Sequence, residues 1–240
     1  MALLVDADFT LYMSAAACET DYDYGDDVIV VQSRFGDLQQ ILTSEFRKMS
    51  ERFPGQELIL FFSDSQNFRK QIYPEYKGAR NRKKPCGYRR AIDWLSENYQ
   101  IEREPQLEAD DLLGIWQSRD NSEHIIISPD KDLRQIPGRI FDGKELFEVT
   151  PEEGIRWHLI QSLSGDQTDG YGGCPGIGVK KAEGLFDKFG QSWSTVVAAY
   201  EKAELTEADA LMNARLAKIL QHEDYDFTTQ SVRPWTPAAS

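Results

Sequence analysis

An α/β fold with a mainly parallel sheet wrapped by helices is the class this 240-residue sequence predicts, on two observations. The first is three short apolar runs, ALLV, ELILFFS and HIIISP, unbroken as a strand buried on both faces must be. The second is helical patterning between and around them, over roughly 8–17, 36–52, 88–98 and 108–118. Strands alternating with helices make a parallel sheet, and such sheets carry their sites at the carboxyl ends of the strands.

Each run leads into acid. ALLV meets Asp6, with Asp8 expected to cap the next helix; ELILFFS ends at Asp64; HIIISP is followed by Asp130 and Asp132. LEADDLL opens a helix that places Glu108 and Asp111 on nearly one face, with Asp110 about 100° from Asp111. An acid-rich first turn favoured by the helix dipole explains that motif equally well. In GDQTDGYGGCPGIGVKKA, Asp166 and Asp169 are three apart and would share one face of a helical turn. Gly172, Gly173, Gly176 and Gly178 then let backbone N–H groups approach an anion, and Lys180 and Lys181 add charge at a helix start. Beyond Gln191, SWSTVVAAYEKA and TEADALMNARLAKIL read as scaffold helices, the second capped by Thr206, with Trp235 docking and a loose tail after it.

The chain is 40% hydrophobic, enough for a core, and has no apolar run of membrane-spanning length. No membrane role is expected. The start MALLVDADF has too short an apolar segment and too early an acid for a signal peptide, which places the chain in the cytoplasm, or a host's cytoplasm if phage-encoded. Three scattered Cys and three His lack the spacing of disulfides or a zinc site. A net charge of −13 argues against bulk attraction to nucleic acid, but it is unevenly spread. RKQIYPEYKGARNRKKPCGYRR holds nine of the 27 basic residues, Arg82, Lys83 and Lys84 among them, against the single acid Glu75. Tyr73, Tyr76 and Tyr88 interleave there as flat faces for bases, and Tyr76 is expected to stack on a terminal base.

Asp6, Asp64, Glu108, Asp110, Asp111, Asp130, Asp132, Asp166 and Asp169 form the candidate metal set. Converging carboxylates repel one another until divalent cations relieve them, and an all-oxygen set favours Mg²⁺ or Mn²⁺ over zinc. Two such ions can hold a scissile phosphate between them, which makes phosphodiester hydrolysis the natural reaction. Lys77 and Arg80 are the candidate catalytic cations, as electrostatic stabilisers of that phosphate.

VDAD, FSD, EYKGAR, EADD, SPDKDL and GDQTDGYGGCPGIGVKKA stand in order across residues 5–182, and in this the chain resembles the flap endonuclease and bacteriophage 5′ exonuclease family. The resemblance implies a PIN-like core over 1–163 and a helical region over 164–240 whose helix-turn-helix variant, through residues 170–190, binds duplex DNA, often with K⁺. It also implies an arch over the site and two metals. Asp6, Asp64, Glu108, Asp110 and Asp111 would form the first metal group, and Asp130, Asp132, Asp166 and Asp169 the second. Lys77 and Arg80 match the family's basic residues at the arch base. Cleavage would leave 5′ phosphates, on DNA with a 5′ end, nick or flap. The segment between Asp64 and the helix near 88 is short for a long threaded arch, and no clamp-binding peptide or polymerase domain is evident, as expected of a stand-alone, phage-type enzyme. The rivals are a PIN-type ribonuclease, which needs no glycine-rich duplex-binding hairpin, and a non-catalytic DNA-binding accessory protein, which would have lost carboxylates.

Overall fold

The computed structural model describes residues 1–79, 83–119 and 123–237. It opens with β1 (Ala2–Asp6) and α1 (Ala7–Ala17), then a solvent-exposed hairpin of β2 (Thr20–Asp23) and β3 (Ile29–Gln32). Next come α2 (Phe35–Arg52), β4 (Glu57–Phe61), the single turn α3 (Arg69–Ile72), α4 (Tyr88–Asn98), β5 (Gln100–Glu102) and α5 (Ala109–Ser118). β6 (Ile125–Ile127), a 3-10 turn (Lys131–Gln135), β7 (Gly138–Phe141) and β8 (Leu146–Val149) complete the sheet. Four helices follow, α6 (Pro151–Ser164), α7 (Val179–Phe189), α8 (Trp193–Lys202) and α9 (Glu207–Ala217), and then the short hairpin of β9 (Tyr225–Asp226) and β10 (Ser231–Val232).

The sheet order is β5-β4-β1-β6-β7-β8, parallel throughout except for the antiparallel β7–β8 edge. Alternation along β1 explains why ALLV is apolar at every position. Leu3 and Val5 face the layer built from Leu11 of α1, Leu38 and Leu42 of α2 and Leu95 of α4. Leu4 faces the other layer, with Leu112 and Leu113 of α5. Both faces are covered, so β1, β4 and β6 deliver their carboxyl ends together at one edge.

Helices α6 to α9 bury a core of their own, with Leu159, Leu163, Phe186, Val196, Tyr200 and Ala210. Thr206 caps α9 as expected, its hydroxyl accepting from Asp209 N in a reciprocal capping box. Trp235 docks as expected, edge-on to Trp193 and His158. The chain after α9 then returns to the α/β layers, where Ile219, Leu220 and Tyr225 join the cluster of Leu4 and Phe61. Among the described residues no helix is long and apolar enough to cross a membrane.

Candidate active site

The strand ends open into a cleft of about 900 Å³ whose walls include Asp6, Asp8, Asp64, Glu108, Asp110 and Asp130 with Lys77, Lys84, Arg89, Arg103 and Lys131. Asp6, the last residue of β1, is 7% exposed and is itself the N-cap of α1, accepting from Phe9 N at 3.1 Å. Its other oxygen accepts from Ser128 Oγ at 2.9 Å, across from β6. Asp8 is therefore not the cap that the sequence suggested. It crosses to β4 and α4 instead, accepting from Ser63 N at 2.8 Å and Tyr88 Oη at 2.9 Å. Asp64 is held by Gln106 N at 2.9 Å, and although burial opposes it, the N–H groups of Gln106, Ser65 and Gln66 keep its carboxyl below the usual range.

LEADDLL divides three ways. Glu108 is the residue before α5, and both its oxygens meet donors from the 69–77 segment: Lys77 Nζ on Oε1, and Tyr76 Oη at 3.0 Å with Arg69 Nη1 at 3.3 Å on Oε2. Burial works against its ionisation, but Lys77 and Arg69 outweigh it and hold the carboxyl down at about 2. Asp110 faces the open cleft, where burial first and then the like charges of Asp6 and Asp130 push its carboxyl well above the usual range. Asp111 is 0% exposed and is taken as a bidentate pair by Arg69, itself 3% exposed, at 2.7 and 2.8 Å. Asp111 thus faces the core rather than the cleft, which corrects its assignment to the metal set: a carboxylate with both oxygens on a buried guanidinium has none to offer an ion.

Asp132, Asp166 and Asp169 stand as a second group beside the cleft, joined to the first through Asp130. Asp130 caps the 3-10 turn by accepting from Asp132 N at 2.8 Å. Burial, then Asp130 and Asp166, raise the Asp132 carboxyl to about 7, and its buried Oδ1 has no hydrogen-bond partner among the described residues. Asp166 and Asp169 do not share a helical turn as the spacing suggested, because α6 ends at Ser164. They sit in a tight loop closed by Asp166 N to Tyr171 O (2.9 Å) and Tyr171 N to Asp166 O (3.1 Å), with Asp166 Oδ1 accepting from Thr168 N at 2.7 Å. Gly165 and Gly173, both at φ +62°, are back to back there, and a Cβ on either would come within 2.4 Å of backbone. The loop docks onto the basic segment through Lys77 N to Asp169 O (2.7 Å) and Tyr76 Oη to Asp169 Oδ2 (3.0 Å).

Tyr76 is only 2% exposed and its ring stacks on Tyr171, so it is a strut between two carboxylates and not the base-stacking platform expected. Nor do nine acids meet at one point. Among the described residues no three His, Cys or acidic side chains gather tightly enough to hold an ion alone. A hard cation still fits: Mg²⁺ keeps several waters and takes one or two carboxylates plus substrate phosphate. Asp6 is raised to about 6, chiefly by burial, and the carboxyls of Asp110 and Asp132 are raised as well, so that ionising them is costly in a way that added positive charge offsets.

Of the basic residues, Lys84 lies over the Tyr88 ring at the cleft wall, Lys83 is exposed, and Arg80 and Arg82 lie outside the described residues. In the glycine-rich stretch, Gly178 precedes α7 without a side-chain cap, and a Cβ at Gly176 or Gly178 would meet open space. Gly176 needs its left-handed φ of +72°, whereas Gly178, at φ −97°, leaves the first amides of α7 bare for an approaching anion. Lys180 and Lys181 are exposed, with Lys181 Nζ donating to Gly176 O at 2.7 Å. Sequence reading missed Ser128, Arg69 and Asp8 as parts of the site. Ser128 was findable as a hydroxyl at the end of an all-apolar strand, but Arg69 was hidden in the basic run.

The family model described as 5′-3′ exonuclease, N-terminal resolvase-like domain, matches residues 2–154. The chain is 30% identical to the exodeoxyribonuclease of Enterobacteria phage T3, over 98% of this chain and 92% of that protein. It is 29% identical to the exonuclease of Escherichia phage T7, over 98% of this chain and 93% of that one. Among solved structures, the T5 D15 protein co-crystallised with metal ions superposes with a TM-score of 0.65, covering 91% of this chain and 89% of that chain at 15% identity, a likeness of fold. Matched along nearly its whole length by phage exonucleases and across its sheet by the family model, the chain belongs to the 5′-3′ exonuclease family.

Proposed function

We propose that the chain hydrolyses DNA from 5′ ends, nicks and flaps with two Mg²⁺ or Mn²⁺ ions, leaving 5′ phosphates. The observation that carries this reading is the surplus of uncompensated carboxylate at the strand ends, Asp6, Asp110 and Asp132 above all. Asp6, Asp64, Glu108, Asp110 and Asp130 would hold one ion, and Asp132, Asp166 and Asp169, with Asp130 shared, the other. When bound, the ions supply Lewis acidity to the scissile phosphate and lower the pKa of the attacking water. Lys77, with Arg80, donates charge to the phosphate oxygens, while Lys83, Lys84 and Arg82 hold the neighbouring backbone. The glycine turn and Lys180 and Lys181 hold duplex phosphates, with K⁺ bridging at the turn. Residues 1–163 form the nuclease core and 164–240 the duplex-binding region, whose Ile219, Leu220 and Tyr225 pack back into the nuclease core.

The test is a gel comparing blunt, nicked, gapped and flapped duplexes, 5′- or 3′-labelled, in Mg²⁺, Ca²⁺ or EDTA. Cleavage from the 5′ side in Mg²⁺ and none in EDTA is expected. Full turnover in EDTA would sink the two-metal reading, and preference for RNA would support a ribonuclease.

A further inference from the structure

We infer that Arg69, together with Tyr76, is a positioning residue for Glu108: the two clamp Oε2 so that Oε1 alone exchanges between Lys77 and a divalent cation. The inference rests on the metal-dependent reading of the cleft.

Arg69 cannot turn away. Besides its fork onto Asp111, its Nε donates to Leu216 O at 3.0 Å and Nη2 to Lys218 O at 2.5 Å. Asp111 is fastened in turn, accepting from Leu220 N at 3.2 Å and from Glu108 N at 3.2 Å. The guanidinium charge is largely met by a buried carboxylate, so besides its share in holding Glu108 ionised, Arg69 gives that carboxylate a fixed direction. The single bond from Nη1 to Oε2 at 3.3 Å, with Tyr76 Oη on the same oxygen at 3.0 Å, fixes one side of the carboxylate. The one phenol proton of Tyr76 is shared between this oxygen and Asp169 Oδ2, also at 3.0 Å. Among the described residues the other side carries the Lys77 ammonium, on a flexible stem at the cleft wall and 3.6 Å from Asp169 Oδ2. The Lys77 backbone is held by Asp169 O, so its side chain can leave Glu108 without the loop moving. Oε1 is therefore the oxygen that Glu108 would offer a cation, and Lys77, on releasing it, would turn to a substrate phosphate, coupling ion capture to substrate contact. The C-terminal end of α9, through the Leu216 and Lys218 carbonyls, anchors the clamp from outside the cleft.

The test is Mn²⁺ affinity by calorimetry on the full chain for Arg69→Lys, Tyr76→Phe, Glu108→Gln and the pairwise doubles. Lys keeps the charge of Arg69 but loses its fork. Arg69→Lys should weaken Mn²⁺ binding about 10-fold or more, as loss of a group orienting a metal ligand does. The same change in the Glu108→Gln background should do nothing further, because the clamp acts only through Glu108. DNA affinity in EDTA should stay near wild type. Equal effects in both backgrounds, or a lowered melting temperature with unchanged Mn²⁺ affinity, overturn the inference by making Arg69 a strut for residues 216–220 only. If Arg69→Lys does not fold, Tyr76→Phe decides the matter by the same two comparisons, since it leaves the Arg69–Asp111 pair intact. Wild type that binds no Mn²⁺ removes the metal reading and the clamp together, whereas wild type that binds it with additive variants removes the clamp alone.

Discussion

The two sides of the acidic cleft are neighbours and electrostatic opposites. On the side of α3 and α5, the protein supplies its own cations: Arg69 saturates Asp111, Lys77 and Arg69 hold Glu108 ionised down to about 2, and the acids are satisfied without any ion. On the side of β1 and the 3-10 turn, Asp130 stands between Asp6 and Asp110 in the cleft and Asp132 beside it, and burial with repulsion from neighbouring carboxylates lifts Asp6 to about 6 and Asp132 to about 7. The difference shows that a cluster of carboxylates is not one site. The compensated half is architecture with one exchangeable oxygen, and the uncompensated half is where positive charge from outside is needed.

Removing the uncompensated acids should have the largest effect. Asp130→Asn with Asp132→Asn should lower single-turnover cleavage by at least about 100-fold while DNA affinity in Ca²⁺ survives. Wild-type cleavage at saturating Mg²⁺ would make these acids structural caps.

The compensated half should break differently. Asp111→Asn leaves the Arg69 guanidinium buried and half-paired, so the expected loss is stability, about 3–5 kcal/mol by urea unfolding in EDTA. An unchanged midpoint would show that the pair is not structural.

A pH comparison sharpens the contrast. A carboxylate whose folded pKa is raised holds an extra proton in the native state between its unfolded value near 4 and its folded value. Stability therefore falls as pH rises through that window. For Asp132 the window runs from 3.8 to about 7. Asp132→Asn should thus raise the melting temperature of metal-free protein at pH 8, by roughly a few degrees, and leave it unchanged at pH 3. Saturating Mn²⁺ should erase the advantage. A variant less stable than wild type at pH 8 would mean that Asp132 is satisfied by a protein partner.

The smallest effect is expected farthest from the cleft. Lys180→Ala with Lys181→Ala should weaken duplex binding several-fold and flatten its salt dependence by up to about two phosphate contacts, with Mn²⁺ affinity intact. Loss of activity at wild-type affinity and salt slope would remove the hairpin from the interface.

Three central strands and four helices of the α/β layers were legible because burial on both faces leaves an unmistakable apolar run, and because α2, α4 and α5 keep a clear helical period. The β2–β3 hairpin was not, since all eight of its strand residues are exposed and no core imprints a pattern on them. The antiparallel edge β7–β8 was missed because its strands are only four residues long and partly exposed. In the site, the acids at strand ends were legible from position alone. Tyr76 was misjudged for the same reason that Arg69 was overlooked: in a basic, tyrosine-rich run, exposure is the default expectation, and burial is decided by what the rest of the chain brings against it.

The sequence by itself determined the fold class, the family and the acids that end β1, β4 and β6, since strand period, strand length and short-range motif order are all local. Only the tertiary structure decided which acids face the cleft. Asp110 and Asp111 are adjacent in sequence and about 100° apart on α5, yet one looks onto Asp6 and Asp130 and the other onto a guanidinium 42 residues away, held by carbonyls some 150 residues from that arginine. The sign of the charge opposite a carboxylate is a long-range property, and it separates an ion's ligand from a buried strut.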